Sequence, residues 1–359
     1  MKMKTICCML SAVLLFAACN KDDQEVTEAV VKSRPRVTMM TTVNGLGDNG
    51  YNDLMVNGLF LFHELMDVPV SLIQPQNMLE AKMAYGRWLA LNENADSAVL
   101  ILGSSAYEEM VKSTPVHLKG KGSRILLLES EAAIDSVTTL TINRYGASYI
   151  AGALTAKRNA YVLVAMRNMK QLEEAIQGFK DGHQAYSEGK TKVDVEYLAD
   201  GEDGFAMPDS AYHVMANHIS QYNKNTTIFL YDEAVFPLLG SSFTGAMMAM
   251  TTYEFNSGIV VGIDTDRRGQ SPCIPFSMVV NVHTIIADYL IRWKTGYEWP
   301  ATQKLGLSNQ ATGIIFDFEY VPSPLAMVAP DSTFMDMNQV NLRYYDLLKE
   351  ATAIEEKRK

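Results

Sequence analysis

The chain has 359 residues, 48% of them hydrophobic and 20% charged, with a mean hydropathy of -0.03, which is a globular composition long enough for about two domains. Its formal net charge of -10 argues against a nucleic-acid partner, which needs a basic surface to displace counterions. Beyond the N-terminus no apolar run approaches the roughly 18 residues of a spanning helix.

Met1-Lys2-Met3-Lys4 supplies a basic start, and residues 5–18 form an apolar run too short to span, so the segment reads as a secretory signal. It ends in Leu15-Phe16-Ala17-Ala18-Cys19, which resembles a bacterial lipobox with Phe16 as a departure. The resemblance implies cleavage before Cys19, acyl chains (palmitate) on that cysteine, and a membrane anchor. Asn20-Lys21-Asp22-Asp23-Gln24 resembles the Lys-acidic-acidic export signal of Bacteroidetes-type surface lipoproteins. That implies attachment to the outer membrane, displayed outward, with a periplasm-facing anchor as the alternative. Residues 19–35 are polar and read as a tether. Cys7 and Cys8 leave with the signal, so Cys273 remains as a free thiol with no near basic neighbour and reads as a buried structural cysteine.

From Arg36 onward, short β-rich runs appear at Val37–Val43, Pro69–Ile73, Ser97–Leu102, Arg124–Leu128, Tyr161–Met166, Lys192–Leu198, Thr226–Tyr231 and Ile259–Ile263. Most are continuously apolar, as strands covered on both faces are. Between them lie helical patterns: a Met55, Leu59, Phe62, Met66 stripe, then Leu79–Leu91, Tyr149–Lys157, Met169–Tyr186, Asp209–Gln221 and Val279–Lys294. A last helix over Asp336–Lys359 turns Leu342, Tyr345 and Leu348 inward and ends in frayed charges. Strands alternating with helices predict an α/β fold of two doubly wound, Rossmann-like lobes with an interlobe cleft. The expected boundaries are 36–143 plus about 255–295 for the first lobe, 144–254 plus about 300–345 for the second, and 346–359 as a charged tail.

Ligands of such sheets lie beyond the carboxyl ends of the strands. The loops expected there, including 44–53, 103–107, 129–131, 200–208, 232–236 and 264–270, collect Asp48, Asn52, Glu129, Asp232, Asp264 and Asp266. An acidic lining suits a ligand with hydroxyl donors or cationic groups. Tyr51 offers a flat face for stacking, and Asn52 both donates and accepts. The Arg267-Arg268 pair reads as a solvated turn, and Asp200-Gly201-Glu202-Asp203-Gly204 as a solvated acidic loop without the alternating ligands of a calcium hand. None of the six histidines sits in a metal-binding or catalytic motif, so neither enzymatic activity nor a cofactor is expected.

Four fragments resemble a known family in its own order. Asp48-Asn49-Gly50-Tyr51-Asn52 with Gly58-Leu59 resembles the Asp-Lys-Ser-Phe-Asn…Glu-Gly-Leu signature of the basic membrane protein (BMP) lipoproteins. Tyr149-Ile150-Ala151-Gly152, Gly178-Phe179-Lys180-Asp181-Gly182 and Val261-Gly262-Ile263-Asp264-Thr265-Asp266 are similar to its Tyr-Leu-Ala-Gly, Gly-Phe-x-x-Gly and Gly-Val-Asp-x-Asp-Gln. The resemblance spans roughly residues 36–315. It implies a type I periplasmic-binding-protein fold, a purine-nucleoside ligand and delivery to an ABC permease. By position it implies ligand contacts at Asp48, Tyr51, Asn52, Glu129, Asp264 and Asn281, the last standing where the family carries a lysine. The leading expectation is a lipid-anchored solute-binding protein. The alternatives are a surface lipoprotein whose degenerate cleft serves sensing or protein contact, and a site for a sugar-like solute.

Overall fold

The computed structural model describes residues 36–225, 230–253, 257–316 and 337–358. Cys19, the signal, the tether and most of the strand expected at Thr226–Tyr231 lie outside the described residues.

The first lobe is built on six parallel strands: β1 (Arg36–Met40), β2 (Val70–Ile73), β3 (Ala98–Leu102), β4 (Arg124–Leu128), β5 (Thr138–Ile142) and β12 (Thr302–Leu305). Their order is β12-β5-β4-β3-β1-β2. Helix α1 (Tyr51–Met66) follows β1 and buries Met55, Leu59 and Phe62 completely, each worth about 1.5–3 kcal/mol of apolar burial. The opposite face is covered by α2 (Met78–Asn92), through Tyr85 and Trp88. The short α3 (Glu108–Lys112) follows β3.

The chain then crosses into the second lobe through α4 (Tyr145–Thr155). There β6 (Ala160–Met166), α5 (Lys170–Ser187), β7 (Val193–Ala199), α6 (Pro208–Asn225), β8 (Ala234–Leu238), α7 (Phe243–Thr252) and β9 (Ile259–Val260) build a parallel sheet of order β7-β6-β8-β9. A second, three-stranded sheet holds β10 (Gly262–Asp264), β11 (Phe276–Val280) and β13 (Thr312–Phe316), the last antiparallel. Helix α8 (Val282–Lys294) returns to the first lobe, where Ile286, Leu290 and Trp293 join the core beside Phe62. Helix α9 (Met337–Lys357) packs Leu347 and Ala351 on the second-lobe core.

The lobes are thus linked by crossings near residues 143–144, 281 and 306. Residues 259–280 pair and pack with the second lobe and 282–305 with the first, which departs from the boundaries expected from strand spacing. The physical reason is hydrogen bonding: β9 extends the sheet beyond β8, and β12 completes the edge beyond β5. The strand after α6 is Ala234–Leu238, later than expected, and it moves Asp232 to the amino end of its strand, away from the cleft. Tyr345 of α9 points to solvent, and Leu347 takes the inward place.

Two of the glycine-bearing motifs have a packing explanation. A Cβ on Gly152 would lie 2.0 Å from the Phe179 carbonyl oxygen, and one on Gly182 would lie 1.9 Å from that of Tyr149. Helices α4 and α5 therefore approach at backbone contact, which only glycine permits. These motifs specify the second lobe rather than its guest.

Candidate functional site

Both main sheets place their first strand second from one edge, beside β2 or β7, so each has a switch point between its first and third strands: β1/β3 in one lobe and β6/β8 in the other. The loops leaving these points face one another across a cavity. Thr42, Asn44, Asp48, Tyr51 and Asn52 come from the β1 side, and Gly103, Ser104 and Ser105 from β3. Met169, Gln171 and Leu172 follow β6, and Leu238–Ser241 follow β8, with Glu129, Arg144, Glu202, Phe205 and Asp264 completing the wall. The cavity has a volume of about 100 Å³, several times what one water molecule needs.

The opening loop is held by its own carboxylates. Asp48 Oδ1 accepts from the amides of Gly50 (2.9 Å) and Asp53 (3.2 Å), and Oδ2 from the amide (2.9 Å) and side chain (3.2 Å) of Asn52. Asp53 accepts from the amides of Gly47 and Asn49. Asp48 thereby satisfies the free N–H groups at the start of α1, the work of a helix cap. The Asn52 side-chain oxygen accepts from the Thr42 amide. Asp48 and Asn52 line the cavity, yet their hydrogen-bonding capacity is largely committed to the loop.

Glu129 is buried in the cavity wall with its backbone at φ 61, and Arg144 meets it in a two-pronged pair, Nη2 to Oε1 at 2.7 Å and Nη1 to Oε2 at 3.2 Å. Burial opposes the Arg144 charge, but the adjoining Glu129 more than offsets it and the guanidinium pKa ends above its ordinary value. The guanidinium lies 5.9 Å above the Tyr51 ring. The Tyr51 hydroxyl is buried beside Glu129 without a hydrogen bond of good geometry; burial, then the Glu129 charge, push its pKa well up.

Asp264 ends β10 in the left-handed region at φ 66 and is 9% exposed. Its carboxylate accepts no hydrogen bond among the described residues. Burial raises its pKa against the pull of Arg144 and Arg267. A Cβ on Gly50 would stand 3.0 Å from its Oδ2, so the opening loop keeps glycine where Asp264 comes closest. Non-glycine residues held at positive φ concentrate where structure over-determines them, often at ligand sites.

Arg267 is buried, not solvated: Nε donates to the Ile263 carbonyl (2.8 Å), and Nη2 to the carbonyls of Asp48 (3.3 Å) and Asn49 (3.1 Å). The acidic loop also differs from expectation. Its Glu202 enters the cavity wall and accepts from Ser104 Oγ across the cleft at 3.1 Å, while burial raises its pKa. Further bridges join the lobes at the rim. Lys304, held by Glu131 of its own lobe (3.0 Å), reaches Glu174 of the second (2.8 Å), Lys170 pairs with Glu131, and the Gln171 side chain donates to the Glu129 carbonyl.

Of the residues expected in the site, Asp48, Tyr51, Asn52, Glu129 and Asp264 come together on one cavity. Asn281 does not line it; its side chain donates to the Gln310 carbonyl at the second crossing. Arg144 and Glu202 escaped the sequence reading. Arg144 follows a threonine-rich strand that carries no apolar run, and Glu202 is disguised among exposed acids.

No protein-family model and no curated relative matches the sequence. Solved structures do. The chain is similar to an ABC transporter solute-binding protein from Aeropyrum pernix K1, at 15% identity and TM-score 0.65, covering 90% of each chain. It is also similar to a transcriptional activator of the comK gene from Bacillus halodurans, at 13% identity and TM-score 0.62, covering 88% of this chain and 96% of that one. A glucose-galactose binding protein from Geobacillus stearothermophilus matches at 14% identity and TM-score 0.57, covering 79% and 98%. At such identities the likeness establishes architecture: two Rossmann-like α/β lobes of the type I periplasmic-binding-protein kind.

Proposed function

We propose that this protein is a lipid-anchored solute-binding protein that closes its two lobes on a small polar, hydroxylated ligand, a nucleoside, for ABC-type uptake or for sensing. The observation that carries the reading is a pair of under-used polar groups lining the cleft: the Tyr51 hydroxyl, buried beside Glu129 without a well-formed hydrogen bond, and the Asp264 carboxylate, which accepts no hydrogen bond among the described residues. Natural proteins rarely leave such groups unmet, and a guest that both donates and accepts meets both. A hydroxyl does so, and the Tyr51 ring adds a face on which a base stacks for about 1–3 kcal/mol.

On this reading Cys19 carries the acyl chains, residues 19–35 form the tether, and the protein sits on the outer membrane. If it faces outward, it hands its solute to another carrier rather than to an inner-membrane permease. Thermal unfolding of the detergent-solubilised lipoprotein, followed by tryptophan fluorescence with nucleosides and sugars, tests the proposal. A bound solute at 100 times its Kd adds about 2.7 kcal/mol by mass action. A flat response to every nucleoside sinks the nucleoside assignment.

A further inference from the structure

We infer that the solute taken by this cleft is a hydroxylated amine whose cationic group is received on the second lobe at Asp264. The inference rests on the reading of the cleft as a solute site and narrows its guest.

Four carboxylates line the cavity: Asp48, Glu129, Glu202 and Asp264. Arg144 is the one cation among the described lining residues. Two of the four are already spoken for, Asp48 by four N–H donors of its own loop and Glu129 by the forked Arg144. Arg267, behind the opening loop, directs its side-chain donors to backbone carbonyls of Ile263, Asp48 and Asn49, and none to Asp264. What is left for a guest is Asp264, nine-tenths buried and unpartnered, and Glu202, bonded to the neutral Ser104 hydroxyl. Both belong to the second lobe, Asp264 facing the opening loop at Gly50 and Glu202 facing Ser104.

A neutral hydroxyl can donate to Asp264, but it leaves four carboxylates against two guanidinium groups in a site the closed lobes remove from water. Uncompensated buried carboxylates are strongly disfavoured, and an empty protein relieves them by holding protons. The environment of both groups points that way. Asp264 is faced by Arg144 and Arg267, which lower its pKa, and by Asp48 and Glu129, which raise it, with burial outweighing the rest; the Tyr51 phenol stands nearby. Glu202 is raised by burial against the Ser104 hydrogen bond, with the Tyr107 phenol within electrostatic reach. An ammonium group entering this wall takes the place of those protons. The hydroxyl part of the guest then supplies the acceptor that the Tyr51 hydroxyl lacks. Binding is therefore coupled to proton release, and it strengthens as pH rises while the amine remains charged.

Calorimetric titration of the detergent-solubilised lipoprotein with matched probes tests this: glucose, glucosamine and N-acetylglucosamine, and adenosine against 3′-amino-3′-deoxyadenosine. The expected result is that the amine binds about tenfold or more tighter than its neutral counterpart. Its heat should vary with buffer ionisation as protons are released, and its affinity should be higher at about pH 7 than at about pH 4, the ordinary carboxylate range, because burial raises the pKa of these carboxyls. Asp264→Asn should abolish most of the amine's advantage over its neutral counterpart, and Glu202→Gln should shrink it less. If the neutral members bind as tightly as the amines at both pH values, the amine inference falls and the solute-binding reading stands. If no member binds at about 10 mM, far above the millimolar range of weak ligands, both fall.

Discussion

Glu355 offers the most stringent test of how the lobes are joined. It lies near the end of α9, among charges that invite a reading as a frayed tail, yet it is fully buried. Its Oε2 accepts from the Gly146 amide in the first turn of α4, and its Oε1 from the Leu307 amide, both at 2.9 Å. One carboxylate therefore ties the first crossing between the lobes to the third. The carboxylate fills space that two glycines leave open. A Cβ on Gly306 would stand 2.1 Å from Oε1, and its three nearest neighbours are all atoms of Glu355. Glu355→Ala strands two buried amides, at about 1–3 kcal/mol each, so the expected loss is roughly 2–6 kcal/mol. Glu355→Gln keeps one acceptor oxygen and turns an amide NH₂ toward the other N–H, for a loss of about 1–3 kcal/mol.

Gly306→Ala completes a double-mutant cycle. Alone it collides with the carboxylate, and in the Glu355→Ala background its three closest contacts are gone. Any cost of the methyl to the backbone is common to both backgrounds and cancels, so the coupling isolates the carboxylate contact. A coupling of about 1–3 kcal/mol is expected, within the range measured for residues in direct contact. Urea unfolding followed by far-UV circular dichroism measures all four species. A Glu355→Ala loss below about 1 kcal/mol, or a Gly306→Ala loss unchanged by removing Glu355, would refute the pin.

Four further outcomes are expected. Arg144→Met leaves Glu129 as an uncompensated buried charge and should cost about 3–5 kcal/mol in urea unfolding, whereas pairing it with Glu129→Leu should recover most of that loss; equal losses for single and double variants would contradict the pairing. Asp264→Asn should stabilise the empty protein at neutral pH by about 1–3 kcal/mol. Because burial raises this carboxyl's pKa, its favourable contribution is complete below the unfolded value and lost as pH rises through the folded one, so the gain from Asn should vanish toward about pH 3–4. Lys304→Gln, removing the rim bridge to Glu131 and Glu174, should weaken ligand binding by about 1 kcal/mol or less, and added salt should mimic it; small-angle scattering would register the opening. The Cys273 thiol, pushed up by burial, should alkylate slowly at neutral pH until urea exposes it.

The legible parts of this molecule are those whose chemistry is local. The turn from β1 into α1 could be read because Gly, Asn and Asp act on their own neighbours, and Asp264 because it ends a short apolar strand. β5 was hidden for the opposite reason. Its threonines are buried by β4 on one side and β12 on the other, more than 150 residues away in sequence, and nothing in Thr138–Ile142 announces that neighbour. β8 carries Pro237, which argues against a sheet interior, yet Pro237 sits opposite Leu163 in the ladder with β6. The glycine motifs marked the fold faithfully while describing the contact of α4 with α5 rather than any ligand.

The least legible property was charge balance. Glu129 and Glu202 are alike in sequence, each an acid beyond the carboxyl end of a strand. One meets Arg144 from the next strand's end, and the other meets only a serine across the cleft. Which acid is free to receive a guest is decided by what the opposite lobe brings to it, and that depends on the three crossings that Glu355 helps to hold.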